Sequence, residues 1–126
     1  MKEETSEKTW QEAVDHCKRI NSILIEPREV QLNTIAKSYK SSWIGASDID
    51  VEGTFVWKSN GETLTYTDWG PVQPNDNEGN QDCAAMQTND RWGDFDCSTT
   101  MAFVCQAEKG KTHILSMKYI LSQRAF

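Results

Sequence analysis

The stretch from Asp68 to Cys97 limits what the rest of the chain can be. It runs Asp-Trp-Gly-Pro-Val-Gln-Pro-Asn-Asp-Asn-Glu-Gly-Asn-Gln-Asp-Cys to Cys83, and after a short link Asp-Arg-Trp-Gly-Asp-Phe-Asp-Cys from Asp90. Pro71 and Pro74 exclude a helix across its first half, because neither donates an amide and each restricts the residue before it. Asn, Asp and Gly fill most of the rest, which leaves no apolar face for a strand. A long loop without secondary structure is uncommon in a compact domain unless it binds something or is disordered. This one is bounded by cysteines and rich in side-chain oxygens, so it reads as a metal-organised binding loop carried by a scaffold.

A chain of 126 residues has room for one domain with a working core. Five tryptophans and 37% hydrophobic residues exclude a disordered chain. Beyond Glu108 stand four basic residues (Lys109, Lys111, Lys118 and Arg124) and no acid, so the overall net charge of −6 becomes −10 over residues 1–108. Such a body repels a phosphate backbone, which argues against a nucleic-acid partner and for divalent cations. Cys17, Cys83, Cys97 and Cys105 form an even set without a Cys-x-x-Cys pair, unlike a zinc site. The residues leave two readings, two disulfides or four buried thiols. The first is preferred, and with it an extracellular setting. Met1-Lys2-Glu3-Glu4 has no apolar signal region, so the expectation is a start inside a longer precursor or an expression product. No run approaches the ~20 apolar residues of a membrane span.

Taken in order, residues 1–8 are polar. Thr9 and Glu12 form a capping box ahead of an apolar stripe at Trp10, Ala13, Val14, Cys17 and Ile20, which predicts a helix with Cys17 inward and His16 on the solvated side. Ile23 to Ile25 reads as a buried strand. A second helix is expected after Pro27, with Val30, Ile35 and Ala36 inward and its end near Tyr39. Trp43 to Gly45 is a further apolar run. Phe55 to Trp57 and Leu64 to Tyr66 flank the turn signal Asn60-Gly61 as a hairpin. Asp82 to Met86 and Ala102 to Gln106 read as the last two strands. Helices followed by short strands and one large excursion describe an α+β domain.

The landmarks Trp43-Ile44-Gly45-Ala46, Asp48, Glu52-Gly53, Phe55, Trp57, Trp69 and Gln73-Pro74-Asn75 resemble a C-type lectin domain. Gly79, Asp82-Cys83, Trp92-Gly93-Asp94, Cys97 and Phe103-Val104-Cys105 continue the pattern. The resemblance covers residues 8–108, and the wording around Asp48 is most similar to secreted invertebrate lectins of the perlucin-like kind. It implies a C-type lectin-like fold: two helices, short antiparallel sheets and a long calcium-organised loop. The domain is expected over residues 1–108, with its first strand truncated or missing, followed by a basic tail at 109–126. In that tail Ile114, Met117, Ile120 and Leu121 are spaced for an apolar helix stripe. The resemblance also implies the disulfides Cys17–Cys105 and Cys83–Cys97 and a cis bond before Pro74.

Carried over by position, the family's auxiliary calcium site falls on Asp48, Glu52, Asp76 and Asp82, all acids here. The sugar-binding site falls on Gln73, Asn75, Gln81, Gly93 and Asp94. Mannose-type members have Glu-Pro-Asn and galactose-type members Gln-Pro-Asp where this chain has Gln-Pro-Asn. The family has Glu at Gln81 and Asn at Gly93. Only Asp94 still carries a charge, and each lost carboxylate weakens an ion site that prefers charged oxygens. Trp69 and Phe95 flank the loop as candidate sugar-stacking rings.

The resemblance thus implies a secreted, non-catalytic domain that binds Ca2+ and, through a degraded primary site, the carbohydrate of glycans or glycoproteins. The alternative is the same scaffold recognising a protein or a calcium mineral surface. An enzyme is disfavoured, since no metal-protease spacing or nucleophile elbow is present.

Overall fold

A computed structural model describes residues 7–75 and 79–107 and the backbone of 120–121. Helix α1 (Trp10–Arg19) begins where the capping box places it. The Glu12 amide donates to the Thr9 hydroxyl oxygen (3.2 Å), and the Thr9 amide donates to the Glu12 carboxylate (3.0 Å). Trp10, Ala13 and Cys17 are buried. Ile20 is not on the stripe: the helix ends before it, and it stands 41% exposed. His16 also departs from expectation, because it is half-buried with its ring edge-on to Phe103 at 5.2 Å.

Strand β1 (Ser22–Leu24) leads to α2 (Val30–Ala36). Two further turns, from Ser38 to the Ile35 carbonyl and from Tyr39 to that of Ala36, carry the winding to Tyr39. The inward face of α2 is Asn33 and Ala36. Val30 is 63% exposed, because each three-residue step drifts about 60° around a helix and two steps carry Val30 off the core face.

Strands β2 (Ser42–Ser47), β3 (Val56–Trp57), β4 (Cys83–Met86), β5 (Trp92–Phe95), β6 (Ala102–Ala107) and β7 (Ile120–Leu121) complete the chain. The sheet order is β1-β6-β2-β4-β5, with β3 on β2 and β7 on β6. Ile120 and Leu121 are therefore strand, not helix, and the rest of the tail, including Ile114 and Met117, lies outside the described residues. The Asn60-Gly61 turn forms, but its return limb is one bridge, Val56 to Thr63, rather than a strand through Tyr66. At the other end Lys8 bridges Met101.

The central strands are covered on both faces. Along β4, Cys83 and Ala85 face the layer of α1, Trp43 and Phe103, whereas Ala84 and Met86 face Ile44, Trp57 and Trp92. Burial on both sides turns strands into continuous apolar runs. Cys17–Cys105 ties α1 to β6 and Cys83–Cys97 ties β4 to the turn after β5. Each removes conformations from the unfolded chain, on the order of 3 kcal/mol or more.

Strand β5 is the element the sequence concealed, since Gly93-Asp94 reads as turn. Its first residue explains it. Trp92 is buried, its indole N–H donates to Asn33 Oδ1 (2.9 Å), and its ring meets Trp57, Tyr66 and Trp69 edge-on.

Two outcomes follow from this packing. Asn33→Ala strands the buried indole N–H and removes a donor to Asp68. It should cost about 2 kcal/mol, read in thermal melts as a midpoint lowered by roughly 6–10 °C. His16 has its pKa lowered below 6.5, first by burial and then by Arg19 and Lys8. The unfolded chain therefore takes up a proton that the folded one refuses. Stability should fall as pH drops through the unfolded value and level off below the folded one. Urea midpoints between pH 7.5 and 5.5 should show a steeper decline for the wild type than for His16→Gln.

Candidate functional site

Antiparallel pairing of Ser47 with Cys83 sets Asp48 beside Asp82, and the Asp48 amide donates to the Asp82 carbonyl (2.9 Å). The segment after β2 turns back on itself. The Gly53 amide donates to Asp48 Oδ2 (2.8 Å), with Gly53 at φ +90°, a conformation glycine adopts without strain. That turn returns Glu52, and oxygens of Asp48, Glu52 and Asp82 lie within 4.8 Å of one another.

Asp48 is only 3% exposed. Its Oδ1 and the Oδ1 of Asp82 are buried without a hydrogen-bond partner. Burial pushes the Asp48 carboxyl above its ordinary range; the Gly53 amide opposes the shift, and the neighbouring Asp82 adds to it. A buried carboxylate without a partner is costly. Three clustered carboxylates with two unsatisfied oxygens fit a divalent cation that prefers hard oxygen donors, calcium above all. Asp76, the fourth expected member, lies outside the described residues.

The second cluster forms where the loop crosses the outer edge of β5. The Trp92 amide donates to the Asp68 carbonyl (2.9 Å) and the Gly70 amide to the Trp92 carbonyl (2.8 Å). The Gln73–Pro74 peptide is cis. On either side of it the chain is fastened to one residue: the Asp94 amide donates to Gln73 Oε1 (3.2 Å), and the Asn75 amide donates to Asp94 Oδ1 (3.0 Å). Gln73, Asn75 and Asp94 are thus brought together, with Asp94 3% exposed. Gln81 is half-buried and immediately precedes Asp82 in the chain. Gly93 is buried beneath the Gln87 side chain.

Trp69 and Phe95, the candidate stacking rings, are half-buried and packed against other aromatic rings. Trp69 packs edge-on with Phe55 (4.9 Å) and Trp92 (5.5 Å), and Phe95 with Trp43 (6.4 Å). Asp96 is occupied locally: the amide and hydroxyl of Ser98 donate to Oδ1 and hold its carboxyl below the usual range, and Asn80 reaches Oδ2. Two residues of the site escaped sequence reasoning. Asn33 clasps Trp92 and Asp68, and Gln87 covers Gly93. Neither belongs to a motif, and only the neighbouring glycines at 70 and 93 hint that a side chain passes there.

A family model described as the lectin C-type domain matches residues 6–107. Collectin-10 of Mus musculus is 32% identical over 111 residues, covering 83% of this chain and 40% of the collectin. The chain therefore spans less than half the length of the collectins it matches. Salivary C-type lectin 2 of Aedes albopictus is 32% identical over 121 residues, 80% of this chain and 78% of that protein. Among solved structures, the cow C-type carbohydrate-recognition domain of CD23 was determined in the presence of GlcNAc2Man3 oligosaccharide. It matches with a TM-score of 0.74 at 28% identity, over 80% of this chain and 81% of that one. Among the described residues no helix is long and apolar enough to cross a membrane. The chain belongs to the C-type lectin domain family, a family of binding domains rather than enzymes, and has that family's α+β fold.

Proposed function

We propose that this domain acts outside the cell as a calcium-dependent carbohydrate-binding module, with a strong ion site at Asp48, Glu52 and Asp82 and a weaker one in the loop. The observation that carries the reading is the pair of buried, unpartnered oxygens on Asp48 and Asp82. Calcium there would replace repulsion between like charges with coordination and tie the turn after β2 to the start of β4. Asp76 is the residue by which the long loop would join the same ion. The loop cluster of Gln73, Asn75, Gln81 and Asp94 then presents oxygens to a sugar's hydroxyls. Two disulfides suit an oxidising, extracellular setting.

A second reading is favoured by one feature, the single carboxylate among the loop donors. A site with so little charge fits weak metal affinity, and the acidic body would then serve to recognise a protein or a calcium mineral surface. Calorimetry separates the two. Calcium titrated into wild type should show a tight event that Glu52→Ala removes and a weaker one that Asp94→Ala removes, with heat from added monosaccharide only when calcium is present. One event and no sugar heat would move the protein-or-mineral reading to the front.

Stability reports the strong site independently. Calcium at a hundredfold excess over its dissociation constant should add about 2.7 kcal/mol relative to protein in chelator. Asp48→Asn should raise the melting midpoint in chelator, by relieving the buried charge, and abolish the rise with calcium. A wild-type midpoint indifferent to chelator would refute calcium at this cluster.

A further inference from the structure

A cleft of about 210 Å³ lies between α1, β1 and the turn after β3, and it includes no residue of either cluster. Val14, Ile23 and Leu24 form its apolar side, and Lys18, Lys58 and Ser59 its polar one. Two local features assemble it. Helix α1 is closed by the Ile20 amide donating to the Cys17 carbonyl (3.1 Å) and the Asn21 amide to that of Lys18 (3.1 Å). Asn21 then takes φ +59°, a left-handed turn that asparagine tolerates. The chain enters β1 at once, so Lys18 on the last helical turn and Ile23 on the strand border the same space. From the other side the Lys58 amide donates to the Gly45 carbonyl (2.8 Å). Gly45 itself lies against Leu24 and Glu26, and the residues after β3 are thereby brought to the cleft.

The charge at this cleft runs against that of the domain. Residues 1–108 carry −10, and Arg28, Lys37, Lys40 and Arg91 each pair with an acid. Lys18 and Lys58 are exposed and make no ion pair with a described residue. Glu26 also borders the cleft, but its charge is already met. Arg28 Nη2 donates to its Oε1 (2.8 Å), and the Ser59 hydroxyl and amide donate to Oε1 and Oε2. The Ser22 hydroxyl is likewise committed, to the Cys17 carbonyl (2.9 Å). Two ammonium groups and an apolar floor are what remain for a ligand. Lysine stems lie along apolar surface while their heads stay in water, and apolar walls strengthen the attraction between such heads and an anion.

We propose that this cleft binds a small amphiphilic carboxylate, its chain against Val14, Ile23 and Leu24 and its head between Lys18 and Lys58. The volume sets the size. A water molecule takes about 30 Å³ of the liquid, so 210 Å³ holds a ligand of about seven non-hydrogen atoms. A short fatty carboxylate meets both demands. A neutral chain of the same length lacks the head that the lysines address, and acetate lacks the chain. The site needs no metal and shares no residue with the Asp48 cluster or the loop cluster, so it is independent of the calcium and carbohydrate reading.

The test titrates sodium hexanoate into the full chain in chelator and follows the methyl resonances of Val14, Ile23 and Leu24. They should shift saturably with a dissociation constant in about the millimolar range, as suits so small a ligand. Hexanol and sodium acetate should move them much less. Lys18→Gln and Lys58→Gln should each weaken hexanoate about fivefold, the effect of one charge at about 4 Å in a water-like medium. The double variant should lose more than about tenfold and keep the small response to hexanol, which separates loss of charge from a disturbed cleft. Added sodium chloride should weaken hexanoate binding by the wild type and leave the remainder in the double variant unchanged. The assignment fails if hexanoate shifts none of the three residues, if the double variant binds it as tightly as the wild type, or if hexanol binds as well as hexanoate.

Discussion

The outer edge of β5 is the feature on which the loop depends. A segment as polar as residues 70–82 cannot hold itself by burial, so its shape must come from directed bonds to something rigid. Strand β5 provides them in sequence: Trp92 exchanges backbone bonds with Asp68 and Gly70, and Asp94 then binds Gln73 and Asn75. The strand is rigid because Trp92 is buried among aromatic rings and its indole is held by Asn33. Asn33 also donates to Asp68 Oδ2 at 2.7 Å. One buried amide on α2 therefore fixes both the strand and the first residue of the loop, and the placing of Gln73 and Asn75 on β5 rests on it.

Buried carboxylates in this protein fall into two kinds, and the contrast bears on the ion site. Glu26 is 2% exposed, yet both of its oxygens are engaged. Arg28 donates to Oε1 through Nε and Nη2, the Ser59 hydroxyl donates to Oε1, and the Ser59 amide donates to Oε2. The approach of Gly45, where a Cβ would lie 2.9 Å from Glu26 Cγ, lets the carboxylate sit that deep. Arg28 in turn lies over the Trp57 ring at 5.3 Å. The fold can therefore satisfy a buried acid completely when the acid is structural. At Asp48 and Asp82 it leaves an oxygen of each without a partner and adds Glu52 instead of a cation. Protein groups complete the first kind, and a ligand from solution is the natural completion of the second.

Sequence carried the scaffold further than it carried the site. The capping box at Thr9, the turn at Asn60-Gly61 and the Cys17–Cys105 and Cys83–Cys97 pairings implied by the resemblance all stand in the structure. Where reading failed, tertiary packing had replaced local pattern. Gly93-Asp94 has the composition of a turn, but ladder bonds to Ala84 and Ala85 and the anchoring of Trp92 make it strand. Val30 is apolar and exposed, while Asn33 is polar and buried, because the core face of α2 is chosen by its partners Trp92 and Asp68 and not by hydrophobicity. His16 lies on the polar side of the wheel yet packs on Phe103, a residue brought over from β6. Gln87 could not be found from spacing at all. Its place depends on which glycines the loop and β5 bring beneath it.

Charge separates the two clusters and would order their filling under the proposed function. The first gathers three carboxylates, and the second combines carboxamides with Asp94 alone. An ion draws more from full charges than from amide dipoles, and the difference grows where water is excluded. Calcium would therefore settle first at Asp48, Glu52 and Asp82, fixing Asp82 and with it the adjacent Gln81 at the foot of β4. The second cluster would meet its ligand with that donor already positioned, so that less ordering remains to oppose a weak interaction. In the proposed arrangement the strong site would contribute to recognition without touching the ligand. The covalent link between Cys83 and Cys97, beginning one residue after Asp82, ties β4 to the segment that follows β5 at the base of both clusters.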